Sequence, residues 1–115
     1  MGSKLSGAQL VKLECLDEAR TKFDRVRKLV EMAAVNPKSQ ADLMRQCHRA
    51  STDVGRLLSN SGFGALASYA NDVASAIKRP GMFQSKLGNM RDAVGKVYIA
   101  FDGARRDLTK VEVEA

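Results

Sequence analysis

Apolar residues recur three and four positions apart in four separate segments of the chain, at residues 16–33, 43–57, 63–77 and 83–108. This spacing places the apolar side chains of each segment on one face of an α-helix. No segment shows the alternation of apolar and polar residues that a half-buried strand requires. The pattern therefore predicts an all-α protein built from four amphipathic helices.

The predicted core consists of the apolar residues on these four helix faces. They are Leu16, Ala19, Phe23, Val26, Val30, Ala33, Leu43, Cys47, Ala50, Val54, Leu57, Phe63, Leu66, Ala70, Val73, Ile77, Phe83, Leu87, Met90, Val94, Val97, Phe101, Ala104 and Leu108. Aromatic residues make up 5% of the chain and Trp is absent, so this core must be largely aliphatic.

Three short stretches rich in turn-forming residues separate the segments: VNPKS at 35–39, SNSG at 59–62 and RPG at 79–81. We expect helices at about residues 7–34, 39–59, 62–78 and 82–110, with a frayed tail after them. Ser6 with Gln9 has the pattern of a capping box, and Ser39 with Asp42 has a close variant of it. Because the connections are short, we expect a single domain over residues 1–115, an antiparallel up-down-up-down four-helix bundle.

Net charge and cysteine content narrow the classes of function. The 115 residues include 19 Lys and Arg against 13 Asp and Glu, a formal net charge of +6, which favours anionic partners such as nucleic acid or acidic lipid. We find neither a signal peptide nor an apolar run of the roughly 20 residues that cross a bilayer. We therefore expect an intracellular protein, cytoplasmic or nuclear, in which Cys15 and Cys47 are free thiols.

The residues that usually carry catalysis or bind metals do not form a recognisable motif. One His and two Cys, without CxxC or HxxxH spacing, do not provide an ordinary zinc site. No pair of carboxylates, nucleophile–base pair or Gly-rich phosphate loop stands out. We expect a protein without enzymatic activity, metal or cofactor.

Charged residues of the first helix are spaced to pair with each other along the helix surface. The expected pairs are Glu18–Lys22, Asp24–Lys28, Asp17–Arg20 and Asp24–Arg27. Such a face mainly keeps a helix soluble, because each exposed pair contributes only about 0.3–0.5 kcal/mol.

Basic residues of the second helix lie on the side away from Cys47, which belongs to the core face. Arg45, Arg49 and Arg56 are expected to be unopposed there, because the two nearest acids, Asp42 and Asp53, lie to one side. A row of arginines without interleaved aromatic residues suits contact with phosphates better than base reading. The predicted polyanion-binding residues are Arg45, His48, Arg49, Arg56, Lys78 and Arg79, and the alternative is a solvated basic face.

Small and uncharged residues cover the outer faces of the third and fourth helices. On the third helix these positions are Ala65, Ser68, Ser75 and Ala76, with Asp72 as the one charge from Phe63 to Ile77, and on the fourth they are Gly88, Gly95 and Gly103, with Ile99 pointing outward. One interpretation is that small residues let the four helices pack tightly against each other. The other is a surface for self-association or for a protein partner, for which the candidate residues are Ala65, Ser68, Tyr69, Gly88, Gly95 and Ile99. A protein–protein adaptor whose charge is incidental is a further interpretation.

The stretch CHRASTDVGRLLSNSGFGALASYANDVASAI, from Cys47 to Ile77, resembles histidine phosphotransfer domains. These domains are four-helix bundles with an exposed reactive histidine midway along a helix and a basic residue nearby. The resemblance implies that His48 would accept a phosphoryl group. The sequence departs from the family pattern three and four residues after the histidine, where Ser51 and Thr52 replace a lysine and a glycine.

The first six residues, MGSKLS, match the N-myristoylation pattern, with Gly2 as the lipidated residue. A basic helical bundle behind such a glycine resembles a retroviral matrix protein, which implies attachment to a membrane surface. Two other interpretations remain open. GS followed by KL is also typical of a cloning remnant, and Ser6 is independently explained as a helix cap.

Overall fold

Four α-helices make up nearly all of the computed structural model, which describes the backbone of residues 6–114 and the side chains of residues 6–109. The helices are α1 (Gly7–Ala34), α2 (Gln40–Asn60), α3 (Gly64–Lys78) and α4 (Phe83–Glu114), and a 3₁₀ turn at Pro37–Ser39 precedes α2. No strand occurs among the described residues, and the all-α prediction is confirmed. The observed helices begin and end within two residues of the expected positions, except that α4 continues as a helix to Glu114 where a frayed tail was expected.

The two predicted capping boxes have different outcomes. Ser6 accepts a hydrogen bond from the Gln9 backbone at 3.1 Å, and the Gln9 side chain accepts one from the Ser6 backbone at 2.8 Å, so the first box is confirmed. The second prediction is wrong, because the Ser39 side chain caps nothing. Ser39 closes the 3₁₀ turn with a ψ angle of 6°, whereas a capping residue normally has an extended backbone.

The helices share one hydrophobic core, and most of the predicted core residues are buried in it. Those that are only half-buried against this core are Ala50, Leu57, Phe63, Phe83, Ala104 and Leu108. Leu29, Leu58 and Ser51 are buried although they were not predicted. Ser51 tolerates complete burial because its hydroxyl donates to the Cys47 carbonyl at 2.9 Å.

Each helix contacts two others, in the closed order α1–α2–α3–α4–α1. Within the described part of the chain, the backbones of α1 and α3 do not approach each other, and neither do those of α2 and α4. The resulting shape is elongated, with extents of 56 × 20 × 19 Å. None of the helices, over the residues described, combines the length and the apolar composition that a membrane span requires.

Polar side chains join α1 to α4 along their whole line of contact. The pairs are Asp17–Arg105, Arg20–Asp102 at 2.6 Å, Asp24–Tyr98 and Glu31–Arg91 at 2.7 Å. The Tyr98 ring also lies 5.4 Å from the guanidinium groups of both Arg20 and Arg27. The hydrogen bond from Arg91 lowers the pKa of Glu31.

Because of these interhelical contacts, most of the ion pairs predicted within α1 do not form. Glu18–Lys22 forms at 3.7 Å, as predicted. The predicted Asp17–Arg20, Asp24–Arg27 and Asp24–Lys28 ion pairs are wrong, because Asp17, Arg20 and Asp24 face α4 and bind partners there. Spacing along one helix shows which side chains can meet, but not what a neighbouring helix offers them.

Candidate polyanion-binding surface

A groove of about 350 Å³ lies between α2 and the end of α3. Arg45, His48 and Arg49 of α2 line it together with Lys78, the last residue of α3. The remaining lining residues are Ala41, Met44 and Ile77. Three cations and the histidine thus surround a partly apolar floor, and we call this feature the α2–α3 groove.

The structure brings together four of the six predicted polyanion-binding residues and separates the other two. Arg56 lies seven residues beyond Arg49, about 10 Å further along α2. Arg79 lines a different groove of about 360 Å³, between α3 and α4, together with Tyr69 and Lys96. Lys78 and Arg79 line different grooves because adjacent residues at the end of a helix point about 100° apart.

The expectation that the arginines of α2 are unopposed is wrong for two of them. Arg45 pairs with Asp42 at 3.2 Å, and Arg56 pairs with Asp53 at 3.5 Å. Both pairs are three residues apart and solvent-exposed, so each contributes less than about 0.5 kcal/mol and leaves the guanidinium able to exchange partners. Among the described residues, no carboxylate forms an ion pair with Arg49.

Arg49 occupies a central position on the basic surface. Besides the α2–α3 groove, it lines a groove of about 520 Å³ between α1 and α2, where Lys22 and Arg25 are its basic neighbours. Arg25 donates a hydrogen bond to Gln46 across this second groove at 3.3 Å. Basic side chains therefore approach Arg49 from both flanks of α2.

Cys47 is buried, as predicted, and its environment makes it an unreactive thiol. Its Sγ lies 3.6 Å from the Val26 carbonyl oxygen, in the contact between α1 and α2. Burial raises the pKa of the thiol to about 12. The nucleophilic thiolate is therefore scarce at neutral pH.

His48 is half-buried at the edge of the α2–α3 groove, between Arg45 and Arg49. Histidine phosphotransfer domains have a lysine three residues after the reactive histidine, and here Ser51 is completely buried at that position. The position therefore faces the core and could not present a cation beside His48. The cations near His48 come instead from α2 and from Lys78.

The positive charge of the chain is concentrated toward one end of the molecule, which the sequence analysis missed. The Glu31–Arg91 pair places the end of α1 beside the start of α4, and the α2–α3 groove places the start of α2 beside the end of α3. Residues 27–49 and 72–96, which include these regions, contain ten Lys and Arg against four Asp and Glu. Residues 6–26, 50–71 and 97–114 contain eight against nine. We call the first set the basic end.

The six predicted self-association residues are all exposed, but they do not line one groove. Tyr69 lines the groove between α3 and α4, whereas Gly95 lines a groove of about 240 Å³ between α4 and α1, with Val30 and Tyr98. The prediction that Ala76 faces outward is wrong, since Ala76 is buried.

Tight packing among the four helices does not explain the glycines of α4. A Cβ atom placed on Gly88, Gly95 or Gly103 would have no neighbour within 4 Å. The interpretation that small residues allow close helix packing is therefore wrong at these positions.

Comparison with protein-family models, with curated proteins and with solved structures finds no match to this chain. Gly2, the residue of the N-myristoylation pattern, lies outside the described residues. The function is therefore inferred from the surfaces described above.

Proposed function

We propose that this chain is a non-enzymatic helical module that binds a polyanion, with the backbone of nucleic acid as the leading ligand. The observation that carries the proposal is the convergence of Arg45, His48, Arg49 and Lys78 around one groove. Three of these side chains carry a full positive charge, and groups from two helices would hold a phosphate from two sides.

The lining of the groove favours phosphate contact over base recognition. Neither Phe, Tyr nor Trp is among the residues that line the α2–α3 groove, and base stacking on such rings is the usual means of binding single strands. From Arg45 to Arg56 the basic row extends about 16 Å along α2, which is long enough to follow several phosphates of a duplex. The proposed ligand is therefore a duplex, bound without sequence preference.

We also propose the antiparallel up-down-up-down arrangement for the four helices. Residues in the first half of α1 contact residues in the second half of α4, as in Asp17–Arg105, and the end of α1 contacts the first half of α4, as in Glu31–Arg91. In this arrangement both connections that follow α1 and α3 lie at the basic end. The exposed faces of α3 and α4 would remain available for self-association or for a protein partner.

Binding of labelled duplex RNA and duplex DNA across a salt series tests the proposal. The R49A/K78A variant removes two cations from the α2–α3 groove. The K12A/R106A variant is the matched control, because both residues are exposed, lie outside the basic end and carry the same total charge. Each lost phosphate contact should flatten the log–log salt slope by about 0.9 for B-DNA.

We expect R49A/K78A to weaken duplex binding and flatten the slope by about two, while K12A/R106A remains close to wild type. If both variants weaken duplex binding equally, binding depends only on net charge, and the α2–α3 groove is not the binding site. If the wild-type chain fails to bind either duplex near physiological salt, the nucleic-acid proposal is wrong.

A further inference from the structure

Two of the most exposed large apolar side chains lie in the connections at the basic end. Val35 follows α1 and is 76% exposed, and Met82 precedes α4 and is 75% exposed. Met32, one turn before Val35, is exposed as well. Such side chains usually face solvent singly, whereas these occur at the end of the molecule where the positive charge is concentrated.

Basic residues outnumber acidic ones around these side chains, and Glu31, which lies beside Met32 and Val35, is paired with Arg91. Residues 32–41 and 73–91 include five Lys and Arg and neither Asp nor Glu. The Lys86 ammonium donates to the carbonyl oxygens of Ile77 and Arg79, at 2.8 and 3.0 Å, and so caps the end of α3. We define the tip as residues 32–41 and 77–83, whose cations are Lys38, Lys78 and Arg79.

We propose that the tip docks end-on against a membrane that contains anionic phospholipid. Val35 and Met82 would enter the interface between headgroups and acyl chains, and the tip cations would lie at the level of the lipid phosphates. An anionic membrane surface presents negative charge and an apolar phase within a few ångströms of each other. The tip offers the matching combination, since its cations lie beside exposed apolar side chains.

The same observations disfavour other occupants of the tip. Two copies of the chain meeting tip to tip would bring like charges together, which is unfavourable. A nucleic-acid duplex matches the charge but offers no apolar phase to aliphatic side chains, and aliphatic side chains lack the ring surface on which bases stack. A lipid surface is the partner that uses both the charge and the exposed apolar groups.

This inference goes beyond the proposed function, because it concerns the end of the molecule and not the side of α2. The two surfaces share Lys78, but Val35 and Met82 belong to the tip alone. Substituting these two apolar residues therefore tests the membrane inference without removing any cation of the α2–α3 groove.

Tryptophan fluorescence tests insertion directly, because the chain contains no Trp. The variants V35W and M82W place a single reporter at the tip. I99W is the matched control, since Ile99 is 73% exposed but lies on the outer side of α4. Each unlipidated protein is mixed with vesicles of phosphatidylcholine alone and of phosphatidylcholine with phosphatidylserine.

We expect the emission of V35W and M82W to shift to shorter wavelength with anionic vesicles only, and the emission of I99W to remain unchanged. A shift with I99W equal to that of the tip variants would overturn end-on docking. So would equal shifts with both kinds of vesicle, or no shift at all.

Sedimentation with the same vesicles measures affinity without a bulky reporter. Replacing both tip residues, in V35S/M82S, should weaken binding to anionic vesicles by about tenfold or more, whereas I99S should bind as wild type does. Both variants should keep the helical circular dichroism of the wild type and its affinity for duplex. Vesicle binding unaffected by V35S/M82S would overturn insertion, and duplex binding without vesicle binding would leave the proposed function standing alone.

Discussion

Replacing the three outward glycines of α4 by alanine should stabilise the protein. A Cβ atom at Gly88, Gly95 or Gly103 meets no atom within 4 Å other than the adjoining backbone of its own helix, so the added methyl groups cause no clash. Glycine within a helix is less favourable than alanine by about 0.8–1.0 kcal/mol, because its backbone loses more conformational freedom on folding. None of the three is required by the packing of the isolated chain.

The expected gain for G88A/G95A/G103A is about 2–3 kcal/mol in the free energy of unfolding. The three sites are seven and eight residues apart, which is more than about 10 Å along the helix, so their effects should add. For a domain of this size, that gain corresponds to a rise of roughly 10 °C in the melting temperature.

Urea and thermal unfolding followed by circular dichroism measure this gain at low protein concentration. G62A is the control of opposite sign, because Gly62, two residues after the end of α2, has a φ angle of +86°. Alanine at that angle should cost about 1–2 kcal/mol. A triple variant no more stable than wild type would refute the reasoning, since it would mean that something already occupies the space over these glycines.

The same variant also examines self-association through the outer face of α4. If a second copy packs against Gly88 and Gly95, the added methyl groups would obstruct it and lower the fraction of oligomer at high concentration. Sedimentation equilibrium separates this effect from the stability of the monomer. An unchanged monomer–oligomer distribution would remove these two residues from the predicted interface.

Two further predictions concern buried and half-buried groups. Burial and the hydrogen bond to Asp24 raise the pKa of Tyr98 from 10.0 to about 12, so the folded state favours the protonated phenol. The contribution of the protonated Tyr98 to the free energy of unfolding should be complete below pH 10 and decline as pH rises toward 12. The Y98F variant should lose about 1 kcal/mol of stability. It should also lose the tyrosine absorbance transition near pH 12. A conventional transition near pH 10 for Tyr98 would contradict this. Cys47 should react with a thiol reagent at pH 8 only after unfolding, whereas Cys15, which is half-buried, should react in the native protein. The C15S variant should therefore show no rapidly reacting thiol in its native state. Rapid reaction of two thiols in the native wild-type protein would contradict the prediction for Cys47.

Much of the fold could be predicted from the sequence, because helical periodicity is a local property. The spacing of Leu16, Phe23 and Val30 can be recognised within a single helix, and all three residues are buried. The capping box of Ser6 is local in the same way. Ser39 shows where local reasoning fails, since the adjoining 3₁₀ turn fixes its backbone in a conformation that prevents capping.

The candidate site was predictable only in part. The side of α2 that carries Arg45, His48 and Arg49 follows from helical rotation alone. Contact with Lys78 does not follow from residue spacing, because it depends on how α3 lies against α2. The charge of the basic end emerges only when segments distant in sequence are placed side by side.

The sequence by itself determined the four helices, most of their buried faces and the overall positive charge, since these depend on residues a few positions apart. The tertiary structure decided which charged groups pair, as when Asp17 and Asp24 bind α4 instead of their neighbours on α1. It also decided which glycine lies at a close helix contact. That residue is Gly55, where a Cβ would come 2.5 Å from Asn71 Oδ1. The physical reason is that an ion pair or a close contact between two helices depends on how both are placed. The periodicity of one helix carries no information about the position of the other.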